Sequence, residues 1–467
     1  MAAKPPWQAE LSASLALAWP FALMQLAQIS INASLLVMCG RLGATELAGA
    51  AIGLQAFLFV FLFALGLAIA VAPMVAQARG AYDLRLVRGA FCQGLWATGL
   101  LAAPGAVLLW YSGGILRATG QDPAVAAAAA EFTRPMAIGL APWLWFFVVR
   151  NYMGAMGRTR PAVYVMIAAI VLNFVLGYAL IFGELGLPQW GVFGAGFTAA
   201  AVGCVLLLAL LGCALADRRL RRLNVPAELL RLNWPQFREV FRLGLPIGLA
   251  MLFETTLFLA VLYLQGLIST QSQAAHAIAM QLAAMAFMVP LGLSQAATVR
   301  IGLAVGHGDP AEARRAAAVA LSLSLLGALI AGLLFLLLPS LLVRQFLDLT
   351  LAESAPVLAT AAAFLAVCAV FQIFDGLQVT ALGVLRGLKD TRVPTFLACL
   401  GYWMVGFPLA AILGLVVGWD GIGVWIGLTV GVALAAVLMV FRMRNSLRVM
   451  ERKIRAEQVP AALPLPV

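Results

Sequence analysis

Charge is what this chain has least of. Asp, Glu, Lys and Arg make up 10% of its 467 residues, and it has two histidines, His276 and His307. No long stretch has the composition of a solvated domain. The six cysteines (Cys39, Cys92, Cys204, Cys213, Cys368 and Cys399) are scattered through apolar runs with no CxxC and no nearby histidine. They read as packing residues, and a structural zinc site is not expected. There is no HExxH, and Asp375, though followed by Gly, has no GxGD partner. An intramembrane protease is therefore not expected, nor any other enzyme, and no cofactor is implied.

Apolar length is what the chain has in abundance. Hydrophobic residues make up 64% and the mean hydropathy is +1.01. Runs of about 20 residues, enough to cross ~30 Å of hydrocarbon, recur from end to end. Twelve transmembrane spans are predicted, at 12–38, 47–76, 90–111, 127–149, 161–182, 191–215, 241–265, 274–304, 315–338, 355–384, 393–416 and 421–441. The first follows Lys4, Pro5 and Pro6 without a small-residue cleavage site, so it reads as a span and not a signal peptide. Pro20, Pro73, Pro142, Pro246, Pro290 and Pro408 fall in or near spans, where each can kink its helix.

The net charge is +11, but its placement argues against a nucleic-acid partner. With the termini on one side, the opposite side carries only Arg41, Arg117, Arg134 and Arg344 of the 30 basic residues. That bias puts both termini in the cytoplasm. The runs DRRLRR (217–222) and FRMRNSLRVMERKIR (441–455) then lie beside the membrane, suited to anionic lipid. Arg exceeds Lys 27 to 3, the bias of a GC-rich bacterial genome.

The chain is also written twice. LGLAIAVAPMVAQARGAYD (65–83) aligns without gaps to LGLSQAATVRIGLAVGHGD (291–309), seven of nineteen positions being identical at an offset of 226. The same offset carries Pro20 onto Pro246, Ala48 onto Ala274, Ile52 onto Ile278 and Gln55 onto Gln281, and GAMGRTRPAV (154–163) echoes GLKDTRVPTF (387–396). Six spans repeat as six with one orientation, as in transporters built from parallel repeats. The expected fold is an all-α integral membrane protein, twelve transmembrane helices in two six-helix lobes related by a pseudo-two-fold axis. Its parts are a cytoplasmic N-terminus (1–11), an N-lobe (12–215), a cytoplasmic linker (216–240), a C-lobe (241–441) and a cytoplasmic tail (442–467). A central cavity and alternating access by rocking are expected, with one chain supplying the whole pathway as a monomer.

Two acids interrupt the apolar runs: Glu254 in LAMLFETTLFLAV and Asp375 in VFQIFDGLQVTAL. A carboxylate inside a bilayer is costly and marks a functional group by default. Glu254 aligns with Gln28 in the first half, and Asp375 with the region 145–149, which has no acid. Both acids thus belong to the second repeat, on spans that can converge on a pocket suited to a proton or a Na⁺. Thr255, Thr256, Gln281 and Gln378 are candidate neutral oxygen donors. Met24, Met280, Met285, Phe287, Met288, Phe253, Phe258 and Trp403 are candidates for an adaptable apolar lining for flat hydrophobic cations.

These residues resemble the multidrug and toxic compound extrusion (MATE) family, in its bacterial NorM-like branch, over about residues 10–445. The likeness is carried by AWPFALMQLAQ (18–28), AVAPMVAQARGA (70–81), FRLGLPIGLAMLFETTLF (241–258), AAHAIAMQ (274–281) and FDGLQVTALGVLRGLKDTRVP (374–394). It implies export of cationic or hydrophobic small molecules across the bacterial inner membrane in exchange for Na⁺ or H⁺, with Glu254 and Asp375 as the cation site. Two departures stand out. The Asp that relatives carry on the first span falls at about Leu35, where Asn32 and Ser34 are the nearest polar groups, and Asn173 matches a family amide near that site. A Tyr four residues before the tenth-span Asp is here Phe371. The alternative reading is a lipid-linked oligosaccharide flippase of the same architecture. It calls for a cationic cavity, whereas the basic residues here fall at span ends.

Overall fold

The computed structural model describes residues 6–184, 186–217, 231–347 and 354–458. Twelve long helices make up most of them: α1 (Pro6–Gly40), α2 (Ala44–Gly80), α3 (Leu84–Trp110), α4 (Pro123–Ala155), α5 (Arg160–Phe182), α6 (Gly191–Ala216), α7 (Trp234–Ile268), α8 (Thr270–His307), α9 (Pro310–Leu337), α10 (Ser354–Gly387), α11 (Arg392–Val416) and α12 (Asp420–Gln458). Each is long and apolar enough to cross a membrane, and no strand occurs among the described residues. Of the expected basic run 217–222, all but Asp217 lies outside the described residues, as do residues 218–230 of the linker and the two chain ends.

Every predicted span has its helix, but many helices outrun the hydrocarbon-length window. Residues 6–11 and 442–458, expected as parts of the terminal tails, continue α1 and α12. Hydropathy falls at the headgroups, whereas a helix runs until its last carbonyls are capped. The extension of α12 is held by Met443 and Leu447, both buried, by Arg442 Nε donating to Asp390 Oδ2 (2.8 Å), and by the Arg314–Glu451 pair (3.1 Å).

α2, α4, α8 and α10 end alike. In each, a residue in the left-handed region (Tyr82, Gly157, Gly308, Lys389) is followed by an N–H that reaches back five residues: Asp83 to Ala78, Arg158 to Met153, Asp309 to Ala304, Asp390 to Leu385. This is the Schellman closure. It also shifts part of the repeat by one residue, since Gly157 stands opposite Lys389 and not Asp390. α11 is irregular. Wide π-helical turns at Leu400–Gly406 and Ile412–Val416 flank Pro408, which has no N–H to give the preceding turn.

The contacts divide the chain into two units. The earlier unit holds residues 19–75 and 84–256, and the later one residues 6–18, 76–83 and those from 257 on. In the earlier unit α4 packs on α3 and α6, and α7 meets α2 where a side chain on Gly66 would strike the Gly244 and Gly248 backbone. In the later unit α10 is central, packed against α8, α9 and α12. There the start of α1 packs Ala18 on Leu293 and Ala296, and the ends of α2 and α8 touch at Gly80 and Gly306, equivalent positions of the repeat.

Candidate functional site

Asp375 sits on the central helix of the later unit and is 6% exposed. The surrounding α10 backbone is held by hydroxyls from two neighbours. Ser324 of α9 donates to the Gly376 carbonyl (2.8 Å), Ser294 of α8 to that of Val379 (2.7 Å), and Thr298, one turn on, to that of Gly383 (2.8 Å). Gln372 Nε2 donates to the Ala283 carbonyl (3.2 Å), and Gln77 Nε2 to that of Gly387 (2.8 Å). Such interhelical bonds, each about 0.6 kcal/mol in a membrane, fix the register that aims Asp375.

The expected donors near Asp375 are placed unevenly. Gln378 donates through Nε2 to the Tyr402 hydroxyl, and its Oε1 has no hydrogen-bond partner among the described residues, so it can serve a cation. Phe371, one turn before Asp375, is buried with its ring edge-on to Trp425 at 5.8 Å and offers no oxygen. Gln281 lies on an exposed position of α8. Among the described residues no three His, Cys, Asp or Glu side chains could together hold a metal ion. A Na⁺ at either carboxylate would therefore draw on amide, hydroxyl and carbonyl oxygens, the donors a hard cation prefers.

Glu254 falls in the earlier unit, because the division of α7 comes after Thr256. Glu254 and Thr255 are half-buried, and Thr256 Oγ1 donates to the Leu252 carbonyl (2.6 Å). Gln28 is half-buried on α1, its Oε1 without a hydrogen-bond partner among the described residues. Asn173, fully buried on α5, donates through Nδ2 to Ser34 Oγ (2.8 Å) and to the Ile31 carbonyl (3.2 Å), while Leu35 is packed one residue on. The structure thus joins Asn173 to Ser34 beside Leu35, where the resemblance implied an Asp.

Three buried groups escaped the sequence reading. Arg150 of α4 donates to Gln25 Oε1 (3.2 Å) and lies 4.3 Å over the Phe147 ring, inside a helix that runs on to Ala155. Glu10 is buried against Arg300, which also holds Glu312 (3.0 Å). His276 faces Trp425 with ring centroids 5.5 Å apart. Glu10 and Arg300 are 290 residues apart, so no local spacing announces the pair.

Twelve helices long and apolar enough to cross a membrane define a multi-pass membrane protein. A solved structure of the eukaryotic MATE transporter AtDTX14 superposes with TM-score 0.81 at 22% identity, covering 96% of this chain and all of that one. A MATE structure in a bent conformation gives TM-score 0.85 at 17% identity, covering 97% and 100%. The chain belongs to the MatE family, whose model matches residues 20–179 and 246–412, the two matches starting at Pro20 and Pro246. Relatives include a protein of Rhizobium meliloti, 42% identical over 98% of this chain and 96% of its own, and one of Mesorhizobium japonicum, 39% identical over 93% and 94%. Each is described as a probable multidrug resistance protein NorM.

Proposed function

We propose that this chain is a multidrug efflux antiporter of the bacterial inner membrane, with both termini cytoplasmic. It exports cationic or hydrophobic small molecules in exchange for Na⁺ or H⁺. The observation that carries the reading is a carboxylate within each of two apolar helices: Asp375 is buried on a hydroxyl-clamped α10 with the Gln378 carbonyl oxygen close in sequence, and Glu254 is half-buried on α7. Full-length relatives named for multidrug resistance support the substrate class.

A Na⁺ or proton arriving from the periplasm neutralises the two carboxylates, which favours a different helix packing and weakens the hold on the bound drug. The drug leaves, the two halves rock, and the ion exits inward. Coupling of this kind needs only that the ion bind the two conformations unequally. The protein acts as a monomer in contact with lipid, needs no cofactor beyond the coupling ion, and has no nucleic-acid partner.

Dye efflux from proteoliposomes, under an imposed Na⁺ gradient and then an imposed pH gradient, tests export and coupling together. Glu254→Gln and Asp375→Asn are each expected to abolish gradient-driven efflux at normal membrane levels. Dye extrusion retained in both variants refutes the coupling role. Translocation of lipid-linked oligosaccharide in the same vesicles would favour the flippase reading.

A further inference from the structure

α8 and α12 bury two polar ring atoms that the coupling chemistry has not used. His276 is 2% exposed, and its Nδ1 has no hydrogen-bond partner among the described residues. Trp425 is fully buried, and its Nε1 has none there either. The two rings lie at 55° to each other, centroids 5.5 Å apart. Neither buried atom recovers the hydrogen bond it gives up on leaving water. A small guest that accepts from the indole N–H and bonds to the imidazole nitrogen restores both hydrogen bonds, and water has that size and chemistry.

Polar groups lie on one flank of the pair. Ser272, one turn before His276, donates to Gln265 Oε1 (2.6 Å), and Gln265 Nε2 donates to the carbonyl of Gly421 (3.1 Å), one turn before Trp425. On the other flank Trp425 meets Phe371, one turn before Asp375. In the proposed orientation these layers descend from the outer ends of α8 and α12 towards Asp375. Cys368 and Asp375 on α10, Tyr402 on α11, Tyr263 near the end of α7, Asp420 at the start of α12, and Arg344 beyond the short helix Pro339–Val343 are the titratable or charged groups among the described residues of this half. The charged residues of α9 (Glu312, Arg314 and Arg315) lie at its opposite end.

We propose that His276 and Trp425 hold a water, and that His276 relays protons between the outer face and Asp375. This rests on the ion-exchange reading above. Nδ1 of the neutral imidazole takes a proton from hydronium and leaves water. The imidazolium then gives a proton to a second water, which delivers it to the Asp375 carboxylate. The ring ends neutral and the carboxylate becomes an acid.

Because the chain has two histidines, ¹⁵N-histidine-labelled His307→Gln protein in nanodiscs reports His276 alone. Lowering the pH is expected to protonate the ring reversibly, with exchange against water that Trp425→Phe slows. In proteoliposomes, His276→Gln is expected to cut efflux driven by a pH gradient about tenfold or more. A ring that keeps one protonation state at every pH and never exchanges with water overturns the proposal. So does His276→Gln protein that couples to the pH gradient as well as the unaltered chain. If the unaltered chain answers only to Na⁺, or to no gradient, the relay is overturned. In the last case the ion-exchange reading falls too, while the NMR experiment still decides whether the site is wet.

Discussion

Arg300 gathers two carboxylates at one end of α8. Glu10 is 4% exposed, while Arg300 and Glu312 each keep 19%. Glu10→Gln removes the charge but keeps an acceptor, and Arg300 still holds Glu312. The expected loss is therefore about 2 kcal/mol, not the ~3–5 kcal/mol of stranding a buried charge. A thermal unfolding scan in nanodiscs reads it, and an unchanged midpoint would mean that the contact contributes nothing. Tyr82 invites the opposite change. It is held at φ 57°, 83% exposed, where the repeat places Gly308 at φ 70°. Relief of the left-handed strain, less the entropy glycine gains on unfolding, leaves about 0.5–1 kcal/mol of stabilisation for Tyr82→Gly. The same scan should show a rise, and a fall would mean that the contact with the His307 ring, 6.1 Å away, matters more.

Helices were the most legible objects in the sequence, because a bilayer demands about 20 apolar residues and the chain supplies twelve such runs. Their ends were less so: α12 continues to Gln458 on a buried Met443–Leu447 edge that hydropathy does not weigh. The π-helical turns of α11 carried no signal beyond Pro408. At the site the acids stood out because each is costly in oil. The hydroxyls that clamp α10 did not, since Ser294, Thr298 and Ser324 resemble ordinary small residues until their partners, 52 and 85 residues away in sequence, are known. The α2–α7 crossing gives the prediction at this scale. Gly248→Val would drive Cβ into the Phe63 carbonyl, backbone that cannot turn aside. The cost is expected to reach ~3 kcal/mol or more, seen as a lowered midpoint and reduced membrane levels. Wild-type levels and midpoint would show that the two helices separate freely.

Over the whole molecule, the duplicated sequence does not yield two self-contained pieces. The start of α1 groups with the later unit, packing on Leu293 and Ala296, and α7 up to Thr256 groups with the earlier one, packing on α2. A chain cut between Asp217 and Arg231 should therefore give two fragments that are each degraded when expressed alone. Co-expressed, they should reach the membrane together and restore dye efflux. Either fragment accumulating stably by itself would contradict this.

The borders between the units have one more consequence. In α1 the border follows Ala18, and in α2 it follows Val75, so each falls within two residues of an internal proline, Pro20 or Pro73. A straight helix resists folding over because its ladder of amide bonds must tear, but a proline has already left one rung out. At these two borders a bend therefore costs less than in an unbroken helix, whereas the α7 border after Thr256 keeps its full ladder, the one interior proline of that helix being Pro246.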